Sequence, residues 1–139
     1  MKKLNKKGFT LVELLAVIVI LALLIVVVAT SVLPALNNAK KSALKTYSER
    51  VKSNAIQLCM SSEISGSSEY NSTTKKCEFD TISSIMGSSE ADTQYEVSTK
   101  IVVEKNDSGN FEIDSGAIKD KGNNLTATYD KTSKTFKTE

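Results

Sequence analysis

The sequence predicts an α+β fold: a long amino-terminal helix, apolar in its first half, packed by its second half on a small antiparallel β-sheet. Three observations carry this. Leu14 to Ala29 is unbroken apolar sequence; Ala35, Ala39, Ala43, Tyr47, Val51, Ala55 and Cys59 recur every four residues; and the last third alternates apolar with polar side chains. The four-residue spacing is a helical period and the alternation is that of a strand, while the apolar run is too long for a buried strand. With 139 residues, one globular domain is the ceiling once the apolar end is set aside.

The chain opens on Met1 to Gly8, which is polar and lysine-rich. Such a segment is retained on the cytoplasmic side of a membrane. Lys2, Lys3, Lys6 and Lys7 also distort the formal charge of +2, because without them 14 basic residues face 16 acidic ones. The basic end is therefore a targeting feature. Elsewhere the charges are scattered and mixed in sign, so no specific nucleic-acid site is expected.

Leu14 to Leu33 is interrupted only by Thr30 and Ser31. At 1.5 Å per residue this window spans about 30 Å, the thickness of a bilayer core. An ordinary secretory signal has a shorter apolar region and a small-residue cleavage site. Val32-Leu33-Pro34-Ala35-Leu36 does not supply that site. A helix apolar all round must lie in lipid or among other helices. Glu13, just inside its mouth, is then a carboxylate that needs a partner, since an unpaired charge in lipid is costly.

Lys6-Lys7-Gly8-Phe9-Thr10-Leu11-Val12-Glu13 resembles the leader and processing site of class III signal peptides, found in type IV pilins and pseudopilins. The resemblance implies a leader over 1–8, cleavage between Gly8 and Phe9, and methylation of the new Phe9 amine. The apolar helix over 9–33 stays in the mature protein. It further implies that Glu13 pairs with the Phe9 amine of a neighbouring subunit, the alternative being its own Phe9 amine. Opposite charges shielded from water attract strongly, and each alone carries a desolvation penalty. The implied partners are other pilin subunits in a homo-oligomer, a prepilin peptidase and methyltransferase, a pilus assembly platform, and membrane lipid before assembly. A Gram-positive bacterial source is expected. So is a precursor in the cytoplasmic membrane with its head outside, and a surface filament after assembly.

The pattern resumes directly after Pro34, the only proline, as an amphipathic helix over 34–60. Leu36, Leu44, Ile56 and Leu58 broaden the apolar stripe, and Lys40, Lys41, Lys45, Glu49, Arg50 and Lys52 supply polar surface. Proline removes one helical hydrogen bond. A bent continuous helix is expected here, with a break into two helices as the alternative. The family's filament form can lose helicity near such a proline.

Residues 61–91 read as a connecting loop. "EISGSSEYNSTTKK", Glu63 to Lys76, is rich in loop-forming residues. Cys59 and Cys77 are the only cysteines. Joined after export, they would fasten the loop to the helix and give roughly 3 kcal/mol; two free thiols are the alternative at this point. A short helix after Asp80 would turn Ile82, Ile85 and Met86 inward. Over 92–139 the alternation of Tyr95, Val97, Thr99, Ile101 and Val103, then Phe111 to Ile113, then Leu125, Ala127 and Tyr129 predicts three or four short strands. Asn106 to Asn110 and Asp130 to Lys134 are turns between them.

No enzyme is expected, and no cofactor or metal. Histidine is absent and two cysteines cannot make a Cys₄ site. No serine sits in G-x-S-x-G, and no glycine cluster forms a phosphate loop. Asp107, Asp114 and Asp120 miss the spacing of an EF-hand. The sequons at Asn71, Asn106 and Asn124 are short enough to recur by chance. The expected function is a structural subunit of a type IV pilus. The alternatives are a pseudopilin of a type II secretion or competence DNA-uptake system, and a single-pass membrane-anchored binding protein.

Overall fold

The computed structural model describes residues 10–87 and 94–139. Helix α1 spans Leu11–Ser65 without interruption, with Pro34 inside it. The chain divides into two compact units, residues 1–38 and 39–139. In the first, the described residues are the apolar part of α1. The second holds the rest of α1, the short helix α2 (Ile82–Met86), and six strands: β1 (Tyr70–Asn71), β2 (Lys76–Phe79), β3 (Tyr95–Lys105), β4 (Phe111–Asp120), β5 (Leu125–Asp130) and β6 (Thr135–Thr138).

The six strands form one sheet in chain order, each antiparallel to the next. A meander of this kind needs only short connections. Cys77, Phe79, Ile101, Val103, Ile113, Ile118, Ala127 and Phe136 build one side of the core; Leu44, Val51, Ala55 and Cys59 of α1 and Ile82 and Ile85 of α2 complete it. The opposite face of the sheet carries ion pairs. Lys76 and Lys131 each bridge Glu104 and Asp114, at 2.6 to 3.2 Å. Partly exposed pairs of this kind contribute little individually, so they make a solvated face.

The helical stripe differs from the sequence expectation. The buried positions are Leu44, Ser48, Val51, Ala55, Cys59 and Ser62, a mixture of three- and four-residue steps. A strict four-residue repeat drifts off a helix face with 3.6 residues per turn. Ala35, Leu36, Ala39 and Ala43 accordingly stay exposed, and Tyr47 is half-buried. Buried Ser48 is tolerated because its hydroxyl donates to the Leu44 carbonyl at 2.8 Å.

The segment expected as a loop is more structured than its composition suggests. It contains the last turn of α1, both strands of the β1–β2 hairpin and all of α2, so the sheet has six strands rather than three or four. Gly66 stops α1 with φ +68°, and the Ser67 amide donates back to the Ser62 carbonyl at 3.1 Å. That is a Schellman ending, which needs a residue at home in the left-handed region. α2 starts as expected: Thr81 caps it by accepting from the Ser84 amide at 3.2 Å. Ile82 and Ile85 are buried and Met86 partly so.

Three hairpins share one construction. Asn71, Asp120 and Asp130 each end a strand, and each Oδ1 accepts from the amides two and three residues on. The turn then closes on a residue with positive φ, Lys75 at 55°, Asn124 at 52° and Lys134 at 53°. The side-chain oxygen substitutes for a backbone acceptor and fixes the reversal. Asp130 also pairs with Lys137. That ammonium, with the Thr132 and Ser133 amides, lowers its carboxyl to about 2. Burial of Asp120 pushes its pKa up, but donors from Asn123, Gly122 and Gln94 outweigh this and hold it below the ordinary carboxylate value.

Candidate assembly interface

Leucine, isoleucine and valine fill one turn of α1 after another from Leu11 to Leu36. The large side chains among them are 43 to 80 % exposed. This helix is long and apolar enough to cross a membrane. Burying such a surface against lipid or other helices removes it from water at about 25 cal/mol per Å². It is the largest unsatisfied demand among the described residues.

Gly8 and Phe9 lie outside the described residues. Glu13 is in the first turn of α1. The Thr10 amide and hydroxyl donate to its Oε2 at 2.8 and 2.9 Å, and the Thr10 hydroxyl accepts from the Glu13 amide at 3.3 Å. The Leu14 amide closes the first helical bond on the Thr10 carbonyl at 3.2 Å. Thr10-Leu11-Val12-Glu13 is thus a capping box, a threonine-to-glutamate spacing readable in the sequence but not used in reading it. The carboxylate has a local partner within its own chain while remaining exposed.

Pro34 has no amide proton for the Thr30 carbonyl one turn back. Next to that gap the Thr30 and Ser31 hydroxyls both donate to the Val27 carbonyl, at 2.9 and 3.2 Å. Hydroxyls bonding back to the helix loosen it slightly. Three breakers of regular helix therefore fall within Thr30 to Pro34, in an otherwise plain apolar run.

Cys59 of α1 and Cys77 of β2 are joined in a disulfide, with Cα atoms 5.8 Å apart. Both cysteines are fully buried in the core. Among the described residues, no three of His, Cys, Asp and Glu are grouped to hold a metal ion. Asp114 is engaged by Lys131 and Lys76, which hold its carboxyl below the ordinary range. Asn71 and Asp120 build turns, and Asn106 accepts from the Asn110 amide at 2.9 Å.

A family model described as the prokaryotic N-terminal methylation motif matches residues 3–29. No curated protein and no solved structure matches the chain. The matched residues take in most of the lysine-rich amino terminus, Gly8 and Phe9, the capping box and most of the apolar run. Together the methylation motif, the membrane-length apolar helix and its packing on a small antiparallel sheet match the fold of type IV pilins and pseudopilins, which are non-enzymatic structural subunits.

Proposed function

We propose that the chain is a structural subunit of a type IV pilus. Residues 1–8 are the leader, removed between Gly8 and Phe9, after which the Phe9 amine is methylated. Residues 9–33 cross the membrane in the precursor and pack among neighbouring helices in the filament. Residues 34–60 carry the head, which 61–139 complete. The observation that carries this reading is the exposed apolar surface from Leu11 to Leu36, interrupted by the single carboxylate of Glu13.

On this reading Glu13 exchanges partners. In the precursor its oxygen accepts from Thr10. In the filament it meets the Phe9 amine of an adjoining subunit, where a charge pair shielded from water fixes one axial register among slippery apolar helices. Pro34, with Thr30 and Ser31, is the place where the helix bends to fit its neighbours.

The test compares processed subunit in the membrane with sheared surface fibre, for wild type, Glu13→Ala and Glu13→Gln. Both variants are expected in the membrane and cleaved, with fibre lost. Normal fibre from both would reject the inter-subunit charge pair. Intact mass of the mature chain tests processing: persistence of Met1 to Gly8 rejects cleavage at Gly8–Phe9. Immunogold labelling of long surface filaments is expected. A processed subunit that never appears in them would favour a short pseudopilus in secretion or DNA uptake.

A further inference from the structure

Lys40, Lys41 and Lys45 follow the end of the apolar run at Leu33 by no more than a dozen residues. At about 100° per residue they share an arc of roughly 140° on α1. Lys40 and Lys45 are exposed and Lys41 partly so. Among the described residues none of the three has an ion pair, whereas Lys52, Lys76, Lys100, Lys105, Lys131, Lys134 and Lys137 each meet a carboxylate. The sequence offers no local neutralisation, because no acidic residue lies between Glu13 and Glu49. Glu49 is itself occupied by Lys52 and by the Phe136 amide.

We propose that Lys40, Lys41 and Lys45 bind anionic phospholipid headgroups at the outer face of the membrane and hold the processed subunit at a fixed depth. The proposal rests on the reading of the apolar run as a membrane span. Lys40 is seven residues beyond Leu33, about 10 Å along a helix and at most about 25 Å even in a fully extended chain. A lysine stem reaches back along apolar surface while its ammonium stays among headgroups. Attraction to an anionic surface acts over a Debye length of about 8 Å. Three lysines there give on the order of a hundredfold preference over a neutral surface.

Processing makes this contact matter. Lys2, Lys3, Lys6 and Lys7 all precede the Gly8–Phe9 bond, so cleavage would remove every basic side chain on the cytoplasmic side of the run. Lys40, Lys41 and Lys45 are then the only lysines within a dozen residues of either end. The leader sets the orientation, and these lysines keep the shortened chain at its level until it is withdrawn.

The chain has no tryptophan, so Ser42→Trp, at an exposed position, places a single reporter beside the cluster. The processed full-length protein is reconstituted in phosphatidylglycerol or phosphatidylcholine vesicles containing brominated lipid, and quenching is read. Quenching about twofold stronger in phosphatidylglycerol is expected. It should fall to the phosphatidylcholine level in the K40Q/K41Q/K45Q variant or in high salt, and return in K40R/K41R/K45R. Equal quenching in both lipids, or quenching unchanged by the three glutamines, overturns the headgroup contact and leaves the span intact. Release of the protein by alkaline extraction would overturn the span and the contact together.

Discussion

Asp120 shows how one side chain decides a local structure. It is buried at the end of β4, where its carboxylate accepts from the Gly122 and Asn123 amides and from the Asn123 side chain, at 2.8 to 3.2 Å. Folding lowers its pKa. It therefore contributes stability above its unfolded value of about 3.9 and loses that contribution as pH falls through the folded value. Asp120→Asn keeps the shape and an acceptor but gives up the charge, at a cost of about 1–2 kcal/mol near neutral pH. Urea midpoints of wild type and variant in detergent should differ at pH 6 and converge as pH drops below about 4. Asp130 titrates in both proteins and cancels from the comparison. A constant gap across that range would show that the charge is not what stabilises the turn.

Strands and hairpins make predictions of opposite sign from two special backbone positions. Gly116 lies where β4 passes close to β3, within a stretch of shifted register between Thr99 and Val103. A Cβ there would meet Ile101 at 3.0 Å from Cγ1 and 3.2 Å from Cα. The backbone has to give way, so Gly116→Ala should destabilise by about 1–3 kcal/mol, read as a lower melting temperature. Lys75 is the reverse case. It holds φ 55° on an exposed hairpin, a conformation that costs a residue with a Cβ about 1–2 kcal/mol and glycine almost nothing. Lys75→Gly should raise stability by roughly 0.5–1 kcal/mol, after glycine's larger unfolded entropy is subtracted. A loss of stability would mean that the Lys75 side chain holds the turn in a way its backbone does not reveal.

Across the whole molecule, the sequence was most legible where one physical demand governed many residues. The apolar run, the helix-to-sheet order and the Asp130–Lys134 reversal all followed from periodicity and turn chemistry. Legibility failed where short elements lean on neighbours. β1 has two residues and β2 four, too few for a period of their own, and they exist by pairing with β3 and each other. Ser48 and Ser62 belong to the buried face of α1 but read as polar. Asn71 and Asp120 attract attention as a sequon and a metal candidate, yet both are turn builders. At the assembly end, Glu13 was visible as a misplaced charge. Its bond to Thr10 was legible only as a capping box, a local pattern easily passed over beside a resemblance that points outward to another subunit.

The disulfide joins these scales, since it ties α1 to β2 through the middle of the core. Reduction, or replacement of both Cys59 and Cys77 by serine, should cost about 3 kcal/mol if the 18-residue separation sets the chain entropy released. A denaturant midpoint unchanged by reduction would mean that packing alone holds the helix end to the sheet.

The same bond also has a mechanical consequence. Tension applied between the two ends of the chain runs along α1 to Cys59, crosses the sulfur bridge and continues from Cys77, so the residues between them never bear load. An oxidised molecule stretched to its full contour should come up short by about 60 Å, the length of the 18-residue detour. Adding reductant during the pull should release that slack in one step, while the serine pair should show the longer contour from the start.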